Sequence, residues 1–128
     1  MKPEIEIETT KDDLVAKGYI ALTPKVLLKL ISNTTVSGDY EYSGHRRYKT
    51  FMNANGEMEA QNDWGTYEEG KWKVDENGYF TVEWDGYWED WTGVAFQVDN
   101  ELKFYDLKSG KWRTSFDSIV KGKHPLEV

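Results

Sequence analysis

Histidine occurs at two positions, and only His45 stands beside other groups that could hold an anion. Arg46, Arg47 and Lys49 follow it, a basic patch in a chain of formal charge −7. Guanidinium forks take up carboxylate or phosphate in a two-pronged fashion. The plainer alternative is a turn whose arginines face solvent. A second group is acidic, with Glu83, Asp85, Glu89 and Asp90 interleaved with Trp84, Tyr87, Trp88 and Trp91. Carboxylates in pairs run acid–base chemistry, and beside indoles they hold cationic or sugar-like ligands by stacking. Against this stands an arrangement with the acids on an outer face and rim and the aromatics turned inward. There is no cysteine, which removes disulfides, thiolate nucleophiles and cysteine metal sites together. His124 lies in a polar tail, so a zinc site lacks its ligands. The stretch 53–63 is rich in oxygen ligands without the spacing of a calcium loop. No G-x-S-x-G and no glycine-rich loop before a helix occurs. No catalytic residue and no cofactor is expected, and an enzyme ranks behind a binding protein.

These side chains must be positioned by strands. Gly70 to Trp84 reads GKWKVDENGYFTVEW, a hairpin with Trp72, Val74, Phe80, Val82 and Trp84 on one face and Asn77-Gly78 in the turn. The same period of two recurs over 34–40, 46–52, 57–60, 88–98, 102–107 and 112–120, separated by short polar turns. Gly38 and Gly93 interrupt the alternation as bulges would. Val94, Phe96 and Val98 share a face, as do Trp112, Thr114 and Phe116. One helix precedes the strands over 24–32. Thr23 is its cap, Pro24 its first residue, and Val26, Leu27, Leu30 and Ile31 its apolar stripe, widened by Leu28 into a well-buried helix. Asp12 to Lys17 could add one turn, and Ile5 and Ile7 a short strand.

About eight antiparallel strands at spacings near ten residues predict an all-β fold. The favoured form is an antiparallel meander β-barrel with one short N-terminal α-helix, and a two-sheet sandwich stands second. Closure removes sheet edges, and eight strands make a barrel that is either filled or holds one small ligand. The expected organisation is a polar segment 1–17, a barrel domain 18–121 and a tail 122–128. At 128 residues the chain can bury one real core. Six Trp and eight Tyr are more aromatic surface than a small core easily absorbs. The acidic balance argues against nucleic acid and anionic membranes as partners, and no run is long enough for a membrane helix.

Two stretches carry a resemblance. One is Gly70-Lys71-Trp72-Lys73-Val74 followed by Phe80-Thr81-Val82-Glu83-Trp84. The other is Leu22-Thr23-Pro24, Leu27-Leu28 and Ile31 leading to Thr35-Val36-Ser37-Gly38. Together, over about residues 18–120, they resemble a family of uncharacterised proteobacterial exported proteins of lipocalin-like, calycin-type build. The resemblance implies a short helix ahead of a small barrel and a periplasmic setting, but no function. Met1-Lys2-Pro3 runs into IEIE rather than an apolar leader. A periplasmic or secreted location is therefore expected if a leader has been removed, and a cytoplasmic one otherwise.

The leading expectation is non-enzymatic binding of a small organic ligand in an aromatic-lined barrel. The candidate contacts are His45, Arg47, Tyr48, Trp72, Trp84, Trp88, Phe96, Phe104 and Trp112, with Arg46 beside them. The alternative is a monomeric or dimeric protein–protein interaction or inhibitor module, anchored on the exposed aromatics Tyr87, Trp88 and Trp91. A small enzyme using His45 or Glu83 with a tyrosine comes third.

Overall fold

A computed structural model describes residues 10–41 and 45–128, with the side chains of Glu41 and His45 outside that description. The expectations placed on Ile5, Ile7 and the 43–45 turn fall, wholly or in part, outside the described residues. Eight strands close into one antiparallel barrel in which each strand pairs with its sequence neighbours and the last returns to the first. They are β1 (Thr34–Glu41), β2 (His45–Met52), β3 (Glu57–Asn62), β4 (Tyr67–Val74), β5 (Phe80–Trp84), β6 (Trp91–Val98), β7 (Glu101–Asp106) and β8 (Trp112–Lys121). The meander barrel is thus the fold, and the sandwich is not. Among the described residues no helix is long and apolar enough to cross a membrane.

Two helices precede the barrel. The turn expected at 12–17 is helix α1 (Lys11–Ala16), held by a reciprocal cap between Thr10 and Asp13. Helix α2 (Pro24–Ile31) starts where Thr23 and Pro24 place it, the Thr23 hydroxyl accepting from the Val26 N–H. It is less buried than its stripe suggests: Leu27 and Ile31 are fully enclosed, while Val26, Leu28 and Leu30 remain partly in solvent. The reason is that α2 covers one end of the barrel, and only two side chains of a helix this short reach down into it.

The hairpin at the centre of the sequence pairs Gly70 with Trp84 and Val74 with Phe80. Asp75 organises its turn, its carboxylate accepting from the N–H groups of Asn77 and Tyr79 while Gly78 takes a φ of 83°. The strand expected over 88–98 begins only at Trp91, because residues 85–90 form a loop. The irregularity expected at Gly38 falls opposite it: the extra residue is Asp117 of β8, between the Ser37/Ser118 and Gly38/Phe116 pairs. Gly38 serves the close approach, since a Cβ there would collide with the Ser115 carbonyl. Gly93 sits instead in regular register with Phe80 and Asp106. A side chain there would press on the Tyr105 carbonyl and the Trp91 ring, so the glycine serves close packing. The second register shift falls at Phe104/Tyr105 opposite β8.

That shift decides what lies inside. Leu27, Ile31, Val36, Met52, Met58, Trp72, Phe80, Val82, Ala95, Leu102, Phe104 and Phe116 form the core within the barrel. Phe80, Phe104 and Phe116 stack through it with successive ring centroids 4.8 Å apart. Val94, Phe96, Tyr105 and Trp112 form a second cluster with Leu14 of α1. They alternate with the inner residues, so this cluster packs outside the sheet, beneath α1. Trp112 is out of phase with Thr114 and Phe116, because β8 carries one extra residue between Trp112 and Thr114.

Candidate functional site

The strands have two kinds of end. Loops 53–56, 75–79 and 99–100 lie with α2 at the closed end, where Leu27 and Ile31 complete the core. Loops 63–66, 85–90 and 107–111 stand at the other end, and among the described residues the barrel is open there. A cavity of about 490 Å³ descends from this mouth, within the range usual for sites that take drug-sized molecules. Its floor is Thr50, Met58, Phe80, Val82 and Phe116, and its upper wall is Tyr40, Tyr48, Trp84, Trp88 and Trp91.

The walls are locked. Trp84 and Trp88 meet edge to face at 4.8 Å. Loop 85–90 is held down by Glu68, whose carboxylate accepts from the N–H groups of Tyr87 at 2.8 Å and Trp88 at 3.1 Å. Asp90 accepts from the Trp84 N–H at 2.8 Å. Loop 63–66 is pinned by Asn62, which takes the N–H groups of Trp64 and Thr66. Arg46 lies over the Trp64 ring at 3.8 Å and bonds Asp63 at 2.7 Å. Tyr48 and Tyr40 meet edge to face at 5.4 Å. Thr114 Oγ1 donates to the Asp39 carbonyl at 2.6 Å, so the Tyr48 hydroxyl donates to Thr114 at 2.5 Å. Burial pushes the Tyr48 phenol well above the usual tyrosine range.

Polar groups facing the cavity are few. Thr50 lines the floor but is only 3% exposed, and its hydroxyl is enclosed off the cavity surface, with no hydrogen-bond partner among the described residues. At the rim Arg113 Nη2 donates to Glu89 Oε1 at 3.1 Å, with the guanidinium 5.4 Å from the Trp91 ring. Glu89 and Arg113 are the only two charged residues on the described wall.

Four of the residues anticipated from sequence line the cavity: Tyr48, Trp84, Trp88 and Trp112, although Trp112 turns its ring to the outer cluster and donates its indole N–H to Ser115 at 2.8 Å. The rest stand elsewhere. Trp72 is core at the closed end, its N–H shared between the Asn53 and Glu57 carbonyls. Phe104 is core, and Phe96 lies outside the sheet beneath α1. Arg47 faces outward and bonds both Asp39 and Asp117, which raise its already high pKa further. His45 begins β2 with its side chain outside the described residues. Glu83 and Asp85 are exposed and do not line the cavity. Among the described residues no three His, Asp or Glu side chains are placed to hold a metal ion.

Sequence reasoning missed Thr50, Trp91 as a wall residue, and Arg113. Thr50 was in phase with Tyr48, which was the signal available. Arg113 gave none, because only the extra residue in β8 carries it to the cavity. No family model matches the chain, and no match is found among curated proteins or solved structures.

Proposed function

We propose that this barrel is a binding protein for a small organic molecule with a flat, largely apolar body, taken up in the cavity at its open end. The observation that carries the reading is the cavity itself: about 490 Å³ walled by Tyr40, Tyr48, Trp84, Trp88 and Trp91. A barrel that acted only through its surface would gain nothing from leaving that interior unfilled, since tight packing stabilises a core. The aromatic walls offer stacking to a ring system. Of the three anchors expected for the interaction-module alternative, Tyr87 is fully exposed while Trp88 and Trp91 are half-buried against the cavity; the other exposed aromatics among the described residues are Trp64 and Tyr67. An enzyme pairing Glu83 with a tyrosine finds no support, since Glu83 is exposed and off the described cavity wall.

The test is native mass spectrometry of gently purified protein beside Val82→Trp, which fills the floor. The reading predicts a reproducible non-covalent mass on the wild type that is lost on denaturation and absent from the variant. An adduct of equal abundance on both proteins would place the ligand elsewhere and refute the reading.

A further inference from the structure

We infer that the ligand is an organic anion, a ring system bearing a carboxylate, sulfonate or similar group, and that Arg113 is its charge partner. The inference rests on the cavity-binding reading above and gives that ligand its charge.

The chain has three arginines. Arg47 is tied to two aspartates on the outer surface. Arg46 is stacked on Trp64 and bonded to Asp63. Arg113 is also held against an indole and by a single carboxylate, but it differs in its place and in its partner's exposure, the Glu89 side chain being 76% exposed against 31% for Asp63. It lies on the cavity wall, and its one side-chain bond is a single prong to Glu89. The two members of that pair are unequally held. Arg113 rises from a strand and lies against the Trp91 ring with its side chain 24% exposed, whereas Glu89 sits on loop 85–90 with its side chain 76% exposed. An exposed carboxylate bound by one hydrogen bond contributes little and exchanges readily. A guanidinium fork has donors to spare for a planar anion that can accept two bonds in parallel. Glu89 therefore acts as a placeholder, occupying Arg113 until a ligand carboxylate or sulfonate displaces it into solvent.

The geometry supports two poles. Arg113 is at the rim, one residue beyond Thr114, whose hydroxyl bonds Tyr48. Below Tyr48 the floor is apolar, built from Met58, Phe80, Val82 and Phe116. Between them are Trp84, Trp88 and Trp91. A molecule with its anion at the mouth and its rings below matches this order.

A matched pair of probes tests it: 1-anilinonaphthalene-8-sulfonate and N-phenyl-1-naphthylamine, which share a ring skeleton and differ by the sulfonate. Their fluorescence is titrated against wild type, Arg113→Gln, Glu89→Gln and Val82→Trp. Arg113→Gln should weaken the sulfonate probe roughly tenfold or more, the scale of one charge-assisted hydrogen bond, and leave the neutral probe within about twofold. Glu89→Gln should strengthen the sulfonate probe alone, and Val82→Trp should weaken both. If Arg113→Gln changes the two probes alike, or neither, the charge assignment is overturned while cavity binding stands. If neither probe binds the wild type, the cavity reading fails and this inference with it.

Discussion

Thr50 carries a polar group that folding leaves uncompensated. Its hydroxyl is enclosed and has no partner among the described residues, and a buried polar group without a hydrogen bond costs about 1–3 kcal/mol. Val keeps the shape and removes the cost. Thr50→Val should therefore raise the unfolding free energy, by about 1 kcal/mol in urea titrations. Tyr48 makes a different prediction. Its phenol is held protonated above the unfolded tyrosine value of about 10. Between the two values the folded state binds more protons than the unfolded one. This contribution is thus complete below pH about 10 and is lost as pH rises toward the folded value. Urea midpoints measured from pH 8 to 11 should fall at the alkaline end, and fall less steeply in Tyr48→Phe. Arg47 is the control. Its ion pairs lie on the outside with the side chain 43% exposed, so Arg47→Ala should cost no more than about 1 kcal/mol after solvent screening and leave cavity binding unchanged.

The elements divide the barrel into a half that holds it together and a half that binds. Helix α2 closes one end with two side chains. Leu27 is fully buried against the inner core, and Leu27→Ala should cost about 2–5 kcal/mol, read from the urea midpoint. The β7–β8 turn depends on Asp106, whose Oδ2 accepts from the N–H groups of Lys108 and Ser109. Partial burial opposes its ionisation, but those two bonds and nearby Arg113 outweigh it and bring the carboxyl below its usual range. Its stabilising contribution is present above the unfolded value of about 3.9 and is lost as pH falls through the folded one. Asp106→Ala should therefore flatten the loss of stability between pH 5 and pH 2, measured by thermal melts. At this scale the sequence was highly legible. Period-two alternation, the Thr23-Pro24 start and the Asn77-Gly78 turn are local signals, and each element they mark is found close to its expected place. The face each strand turns inward was legible only where the register is regular. Phe96 and Trp112 look like lining residues because alternation carries no sign: it says that Val94, Phe96 and Val98 share a face, not which face α1 will cover. One extra residue in β8 then turns Trp112 outward and sets Arg113 at the mouth, an event without a glycine or proline to announce it.

For the whole molecule, closure is the governing fact. A closed sheet leaves no edge to pair, so the ends alone remain to be covered. One end is covered by α2 and packed with aromatic rings. At the other, among the described residues, loops 63–66 and 85–90, pinned by Glu68, Asp90 and Asn62, stand around an unfilled space. The net charge of −7 lies mostly on exposed acids, which leaves the charges of the mouth, Glu89 and Arg113, as the local chemistry that an entering molecule meets. The chain supplies its own reporters for the central claim. It has three methionines, of which Met58 lines the cavity floor and Met52 is buried in the core without lining it. Methyl NMR of protein labelled at methionine, titrated with N-phenyl-1-naphthylamine, reads both at once. Binding in the cavity predicts a saturable shift of the Met58 methyl with Met52 nearly still. A Met58 signal that stays in place while the probe saturates the protein would contradict it.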